Sequence, residues 1–332
     1  MAAEYTAVVM ALPRTAPNHL AGRYLERLAS LRKSELQLRA ALEDPTTLFV
    51  PVWRAQSLIA QQSGSFSAQF VSGLTHFGTQ DTSELILLGE FRGRLCFAIE
   101  LPATESPGLE PSGEFTDLRG VAGELMHDEA GVLAYARAMI LWRERHRFCG
   151  RCGAPTRPTE AGHVRKCSND ECGTQQFPRI DPAVIVLVTD GERALLGRQA
   201  SWPPGRYSTI AGFVEPGESL EDAVAREVHE ETGVEIDAVD YHSSQPWPFP
   251  SSLMLGFTAR ASRTEIRRID DELEDARWLT REQIAAGEVA LPTTHSISFR
   301  LIEDWYDAGS AIPLRREPNA RLWTAPGRGP TK

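Results

Sequence analysis

Residues 212–234 read Gly-Phe-Val-Glu-Pro-Gly-Glu-Ser-Leu-Glu-Asp-Ala-Val-Ala-Arg-Glu-Val-His-Glu-Glu-Thr-Gly-Val, and no other stretch restricts the fold as strongly. Ser219 with Asp222 three residues on makes a helix start resembling a capping box, because the hydroxyl can accept an orphan backbone N–H. Glu221 and Asp222 fall in the first turn, where the helix dipole favours negative charge. Gly233 follows the last periodic residue and suits a left-handed C-cap. The spacing therefore predicts a helix over about 220–232. Leu220, Val224 and Val228 form its apolar stripe at i, i+4, i+8. Glu227, Glu230 and Glu231 stand at i, i+3, i+4 and share a face that borders this stripe. Asp222, Ala225 and His229 take the opposite, solvated side. Three helical glutamates ordinarily mean a wet surface. Here they lie beside the packed edge, where like charges repel and a cation must offset them. A hard divalent ion with oxygen ligands, Mg²⁺ or Mn²⁺, is the natural candidate. Arg226 can reach Glu218 or Glu230 and hold the preceding loop on the helix.

Reduced to its fixed points, the stretch is G-x5-E-x7-R-E-V-x-E-E-x-G-V, running from Gly212 through Glu218, Arg226 and the three glutamates to Gly233 and Val234. This pattern resembles the box of the Nudix hydrolases. That family cleaves a nucleoside diphosphate linked to a second group, using divalent metal. The resemblance implies that Arg226 ties the box loop to the helix.

The chain has 332 residues, enough for two or three domains, and 42 % hydrophobic residues, enough for ordinary cores. A net charge of −10 argues against broad binding to nucleic acid or an anionic membrane. An anionic substrate stays open, because bound metal reverses the sign locally. No apolar run approaches the ~20 residues of a membrane span. Glu4 and Tyr5 stand where a secretory signal would carry its basic and apolar regions. The five cysteines are accordingly expected to be thiols or metal ligands in a reducing, cytoplasmic setting.

Residues 1–18 read as a first strand or an ordered arm. From 19 to 42, the spacing of Leu20, Tyr24, Leu28, Leu31, Leu38 and Leu42 predicts a helix. Its basic residues Arg23, Arg27, Arg32, Lys33 and Arg39 read as a solvated face. Thr47 to Trp53 is an expected strand. Glu84 to Phe91 and Arg94 to Leu101 are an expected hairpin about Arg92-Gly93. Residues 102–114 are an expected loop, and Cys96 a buried structural thiol. Residues 1–126 thus form a small α+β domain without a nameable chemistry. Asp128 is expected to cap a linking helix over 127–147, with Leu133, Ala136, Ile140 and Leu141 inward and a basic end at Arg143, Arg145, His146 and Arg147.

Cys149-x2-Cys152 and Cys167-x4-Cys172 enclose a 14-residue spacer, the pattern of a zinc ribbon over 148–176. Gly150, Gly153 and Gly173 suit the tight backbone of its knuckles. Four thiolates close a tetrahedral site, which points to structural Zn²⁺. Two disulfides or unconnected thiols are the alternative. Some ribbons bind nucleic acid, and Arg151, Arg157, Arg165 and Lys166 lie nearby, but no row of aromatics accompanies them.

Ala183 to Val188 is a continuous apolar strand suited to burial on both faces. Asp190-Gly191 turns it into a strand over Ala194–Arg198, and Tyr207 to Val214 leads into the box. Residues 177–309 together match the Nudix α/β/α sandwich with a mixed sheet. Arg281 to Gly287 reads as a short helix, about 294–308 as a longer one, and 310–332 as an extended, partly disordered tail.

A second signature lies at 244–252, Ser-Gln-Pro-Trp-Pro-Phe-Pro-Ser-Ser. Three prolines stiffen such a loop and hold Trp247 and Phe249 at little ordering cost, ready to stack on a flat heterocycle. Alone, a loop of this kind is more often packing than a clamp. Downstream of a Nudix box it resembles the array of the NADH pyrophosphatase (NudC-like) branch, which also carries a zinc ribbon before its catalytic domain. The resemblance is strong over about 145–308 and general over the N-terminal domain.

By position, it implies metal ligation by Glu227, Glu230 and Glu231, by the carbonyl of Ala211, and by Glu272, with Asp270, Asp271 and Glu274 as neighbouring candidates. It implies substrate contacts from Gln245, Pro246, Trp247, Pro248, Phe249, Pro250, Ser251 and Ser252, and from the backbone of Ser298. Phe177 falls where a Tyr is common, so stacking is kept and the hydroxyl is lost. Gly212, Glu218, Arg226 and Gly233 are supporting positions.

The expected protein is an α+β multidomain chain with a metal-dependent NAD(H) diphosphatase. It would yield nicotinamide mononucleotide and AMP, with Glu231 or Glu230 taking the proton of the attacking water. One rival keeps the chemistry and takes RNA with a 5′ NAD cap. The other is a nucleic-acid-binding ribbon beside an inert Nudix domain. The resemblance also implies a homodimer.

Overall fold

The computed structural model describes residues 17–77, 82–103, 107, 109, 112–267 and 272–323. The readings of residues 1–16, parts of the 102–114 loop, Asp270, Asp271 and residues 324–332 therefore lie outside the described residues. In chain order the N-terminal part runs β1 Leu25–Glu26, α1 Glu35–Glu43, β2 Leu48–Trp53, β3 Gln56–Gln62, β4 Ser65–Ala68, β5 Val71–Ser72, β6 Ile86–Phe91, β7 Arg94–Glu100, β8 Glu114–Thr116, α2 Leu118–Val121 and α3 His127–Arg145. The ribbon follows with β9 Thr156–Thr159, β10 Val164–Cys167 and β11 Gln175–Gln176. The C-terminal part is β12 Asp181–Thr189, β13 Arg193–Arg198, β14 Ile210–Phe213, α4 Leu220–Thr232, β15 Glu235–Trp247, β16 Ser252–Arg263, β17 Asp275–Thr280, α5 Arg281–Ala285, β18 Ala290–Leu291, α6 Ile297–Ala308 and β19 Arg321–Leu322.

The N-terminal sheet has the order β1-β6-β7-β2-β3-β4, with β5 on β2 and β8 on β3. Arg92 and Gly93, with φ of 51° and 75°, make the β6–β7 turn that their order in the sequence predicts. The expected helix over 19–42 does not form as one element: a 3-10 turn over Leu31–Lys33 and the α-helix Glu35–Glu43 are its only helical parts. Leu20 and Leu28 have φ of 68° and 45°, which no α-helix accommodates. Leu20, Tyr24 and Leu25 enter the core under α3, while Leu31, Leu38 and Leu42 pack on the core at the other face of the sheet. One helical spacing of leucines thus serves two separate cores.

Asp128 is not the cap of α3. Met126 holds that position without a side-chain bond, and Asp128 sits in the first turn, accepting from Arg92 Nε at 2.8 Å. Set apart as a linking helix in the sequence, α3 contributes buried residues from Ala130 to Trp142 to the N-terminal core. Cys96 is fully buried, as expected, and its thiol pKa is pushed up to about 12 by burial.

The C-terminal sheet has the order β15-β16-β12-β13-β17, with β14 beside the other half of β12. Strands β12 and β16 are parallel and the other pairs antiparallel, so the sheet is mixed. Along β12, Val184, Val186 and Val188 pack under α4, whereas Ile185 and Leu187 pack under α6. Burial on both faces explains the unbroken apolar run. Two helices on opposite faces give the three-layer α/β/α arrangement. The expected loose tail is ordered to Trp323. Strand β19 pairs parallel with β18, and Trp323 Nε1 donates to the Ala290 carbonyl at 2.8 Å. Among the described residues no helix is long and apolar enough to cross a membrane.

His163 joins the ribbon to the N-terminal sheet through a 2.7 Å bond to the Leu87 carbonyl. Burial, assisted by Arg32 and Arg27 and opposed by the Leu87 bond and Glu160, brings its pKa down to about 4. The unfolded chain then binds a proton near pH 6.5 that the fold refuses, so stability is full above that pH and falls as pH drops toward 4. The loss reaches about 2 kcal/mol by pH 5. Melting curves at pH 7.5 and 5.0 should show this loss, and His163→Gln should reduce the difference between the two. An undiminished difference in the variant would assign the acid sensitivity elsewhere.

Candidate active site

The helix α4 forms where its caps predict. Ser219 Oγ accepts from the Asp222 N–H at 3.1 Å, and Gly233 ends the helix at φ 68°. Gly233 is also sterically required, since a Cβ there would come 2.6 Å from the Arg267 carbonyl oxygen. Val224 and Val228 are fully buried and Leu220 partly so, while Asp222, Ala225 and His229 face solvent.

The glutamates divide by burial. Glu227 is 8 % exposed and Glu231 3 %, whereas the Glu230 side chain is 48 % exposed. Glu227 lies against β14 so closely that a Cβ on Gly212 would fall 1.9 Å from its carboxyl carbon. Glycine at 212 is thus the condition for bringing a carboxylate onto the Ala211–Gly212 backbone. Arg226 organises the rest. Its Nε and Nη2 donate to the two oxygens of Glu218 at 2.6 and 2.9 Å, and Nη2 also to the Phe213 carbonyl at 2.9 Å. Its Nη1 bridges Glu227 Oε1 and Glu230 Oε2 at 2.9 Å each. The expected ties to Glu218 and Glu230 are both present, with Glu227 in addition.

The electrostatics follow from this geometry. Arg226, with the Glu215 N–H, holds the Glu218 carboxyl down to about 2. Glu227 moves upward, chiefly through burial and further through repulsion from Glu272 and Glu230, against the pull of Arg226. That repulsion brings Glu272 into the same acidic field, although its sequence position is distant. Gln199 Nε2 stands 3.5 Å from Glu272 Oε1. Its neighbour Glu274 is engaged by Arg198 Nε at 2.5 Å instead. Arg226 thus binds Glu218, Glu227 and Glu230, with Glu272 acting on Glu227 and Glu231 buried on the same helix. Oxygen donors in excess of positive charge, cradled on a glycine backbone, fit a hard divalent ion.

The four cysteines converge as their spacing predicts. Their Sγ atoms all lie within 4.8 Å of one another, with Cys149–Cys172 at 3.8 Å and Cys152–Cys167 at 3.4 Å. These separations exclude disulfides, whose sulfurs stand ~2.05 Å apart. Cys149 and Cys167 are buried, and Gly153 and Gly173 take φ of 75° and 55° at the knuckles. Four soft donors at tetrahedral spacing fit Zn²⁺ with no open position.

The 244–252 segment is not the free loop its prolines suggest. Gln245, Pro246 and Trp247 continue β15 and pair with β16, leaving Pro248–Ser251 as the turn. Gln245 is completely buried. Its amide donates to the carbonyls of His19 and His295 at 3.0 and 2.8 Å and accepts from the Ile297 N–H at 2.8 Å, clamping the N-terminal part to α6. Phe249 sits in the N-terminal core, with the guanidinium carbons of Arg119 and Arg137 each 5.0 Å from its ring centre. Ser251 Oγ donates to Asp181 at 2.7 Å, which with Arg179 holds that carboxyl below its usual range. Phe177 stays 62 % exposed in the segment joining ribbon and sheet.

A cavity of about 560 Å³ opens beside this strand. Ile185 lines it, and Ile185 is the sheet partner of Ala211, so the cavity adjoins β14, the strand against which Glu227 lies. Of the expected substrate residues, Gln245, Trp247 and Ser298 line it, the Ser298 hydroxyl being bonded to Ser208 and Thr209 at 2.8 Å. Phe177 and the 248–252 residues do not. The sequence reading missed Trp202, Arg206, His295 and Trp323, which also line it. Trp202 and Trp323 meet edge to face with centroids 5.0 Å apart. No local pattern marks them, because the segments meet only in the fold.

Comparison with known proteins agrees with this architecture. The NUDIX domain family matches residues 179–304, the NADH pyrophosphatase-like rudimentary NUDIX domain 46–142, and the NADH pyrophosphatase zinc ribbon domain 144–177. The chain is 44 % identical to the NAD-capped RNA hydrolase NudC of Stutzerimonas stutzeri, over 65 % of this chain and 75 % of that protein. It is 43 % identical to the NAD-capped RNA hydrolase NudC of Mycobacterium bovis, over 67 % and 75 %. It is 45 % identical to the NAD-capped RNA hydrolase NUDT12 of Homo sapiens, over 55 % of this chain but 43 % of that protein, and so spans less than half the length of such relatives.

Proposed function

This chain belongs to the Nudix hydrolases, in the NADH pyrophosphatase branch that carries a zinc ribbon, and from that premise we propose that it hydrolyses the diphosphate of NADH and NAD⁺. Water adds to one phosphorus, the bridging P–O bond breaks, and AMP leaves with nicotinamide mononucleotide, the latter in its reduced form when NADH is the substrate. The observation that carries this reading is the Glu227 carboxylate pressed onto Gly212, one strand position from a residue facing a ligand-sized cavity. A Mg²⁺ or Mn²⁺ ion held by the Ala211 carbonyl and by Glu227, Glu230, Glu231 and Glu272 would supply the positive charge that the diphosphate needs. Glu231 is the better candidate to take the proton from water, because it is buried. Glu230 is half exposed and is bonded by Arg226 Nη1 at 2.9 Å.

Trp247, with Trp202 and Trp323 across the cavity, offers faces for a flat heterocycle. A stacked ring is worth ~1–3 kcal/mol, so Trp247→Ala should raise KM for NADH roughly 5- to 100-fold. KM for ADP-ribose, which lacks the nicotinamide, should rise less. Equal losses on both would remove Trp247 from recognition of that half.

A second reading, removal of 5′ NAD caps from RNA by the same site, draws on the relatives, which are NAD-capped RNA hydrolases. Product analysis on NADH, ADP-ribose and NAD-capped RNA, each with and without Mg²⁺ or Mn²⁺, separates the readings. Absence of mononucleotide products from all three would overturn both. The four-thiol cluster also supports a reducing, cytoplasmic setting. Exposed Phe148, Phe177 and Ile180 support a homodimer.

A further inference from the structure

A second cavity, of about 390 Å³, lies where the N-terminal domain, the ribbon and the Nudix sheet meet. Its walls come from the β1 region, α3, His163, the 178–180 segment and the Pro246–Leu253 turn. Three arginines line it, Arg27, Arg32 and Arg179, and among the described residues no carboxylate does. Arg179 is already neutralised by Asp181 at 2.5 Å, which leaves Arg27 and Arg32 as the cations without an acid in the wall. Four aromatic rings, of Tyr24, Tyr135, Trp142 and Trp247, supply the flat surface. The Arg27 guanidinium carbon already stands 4.3 Å from the centre of the Tyr135 ring.

Two donors are left over. The indole N–H of Trp142 and Nε of Arg32 are both buried without a hydrogen-bond acceptor. A buried orphan donor costs ~1–3 kcal/mol, and a ligand bearing acceptor oxygens would recover it where either side chain turns its donor into the cavity. Guanidinium groups favour phosphate, and aromatic faces favour a base. The volume is at the lower end of the roughly 300–1,000 Å³ span of small-ligand sites, the scale of one nucleotide.

We propose that this cavity is a second nucleotide site, which binds a mononucleotide with its phosphate toward Arg27 and Arg32 and its base among Tyr135, Trp142 and Trp247. Trp247 also lines the substrate cavity, so its ring is a wall common to both. An occupant of the second site therefore fixes one face of the surface that recognises substrate. The wall also includes Pro246, Pro248, Ser251 and Ser252, expected above to contact substrate, but the site needs neither the glutamates nor a divalent ion, so its test runs without them.

The test is titration calorimetry with AMP on the full-length, zinc-loaded protein without added Mg²⁺ or Mn²⁺. Wild type should bind one AMP more per chain than Arg27→Ala/Arg32→Ala, while the variant keeps NADH turnover within about twofold in the absence of AMP. Equal stoichiometries would overturn the proposal. Should the variant fold poorly, crystals of the wild-type protein soaked in AMP decide. Density beside Tyr135 and Trp142 is expected, and an empty cavity at saturating AMP would overturn it.

Discussion

Glu231→Gln is expected to lower NADH turnover about 10³-fold, within the roughly 10²–10⁴-fold range a positioned general base contributes. The substitution keeps volume and hydrogen-bonding shape and removes one negative charge. Glu231 is almost fully buried on the helix face next to Glu227. The amide cannot take a proton from water and is a poor ligand for a hard cation. Stability should hardly change, because losing one carboxylate relieves repulsion in a cluster organised around Arg226. A shift below about 1 kcal/mol, roughly 2–4 °C, is expected. A variant that lost activity together with a far larger part of its melting temperature would make Glu231 a structural residue. The comparison with Glu230→Gln assigns the base. The half-exposed Glu230 should cost less turnover, and the reverse order would move the role to it.

Cys149→Ser should cost the protein its zinc and a large part of its stability. The ribbon has three short strands and few buried side chains, Cys149, Thr156, His163, Val164, Arg165 and Cys167, of which Val164 alone is aliphatic. Such a unit cannot be held by its core, so metal binding has to hold it, and structural zinc sites contribute ~10–16 kcal/mol in isolated fingers. If a third of that were lost, about 4 kcal/mol, the melting temperature would fall by roughly 10 °C. The effect should spread beyond the ribbon, since Arg165 donates to Thr156 at 2.7 Å and to Glu84 at 3.2 Å, tying the ribbon to the N-terminal sheet. Metal analysis of the wild type should find one zinc per chain. A zinc-free wild type with an unaltered melt would remove zinc from the account.

The box helix was legible because everything that determines it is local: Ser219 as cap, Gly233 as stop, valines four apart, and acids on the adjoining face. The β12 strand was legible for a similar reason, its apolar run having no partner but burial on both sides. The cysteines carried their arrangement in their spacing. The leucines of 19–42 misled because their spacing satisfies a helix and equally two cores on opposite faces of one sheet. Gln245 shows the same limit from another side. It lies in a proline-rich stretch that reads as an exposed loop, yet its amide is the buried tie between His19, His295 and Ile297. The wall formed by Trp202, Arg206 and Trp323 could not be foreseen, since the ordering of the tail depends on β19 finding β18.

The central claim is that acids on one helix, backed by a glycine strand, hold a divalent ion at the diphosphate. Anomalous diffraction from crystals soaked in Mn²⁺ and a non-hydrolysable NAD analogue tests it most directly. The expected result is manganese peaks bounded by Glu227, Glu230, Glu231, Glu272 and the Ala211 carbonyl, with the analogue's diphosphate against them. Manganese bound elsewhere, with the diphosphate away from α4, would contradict it.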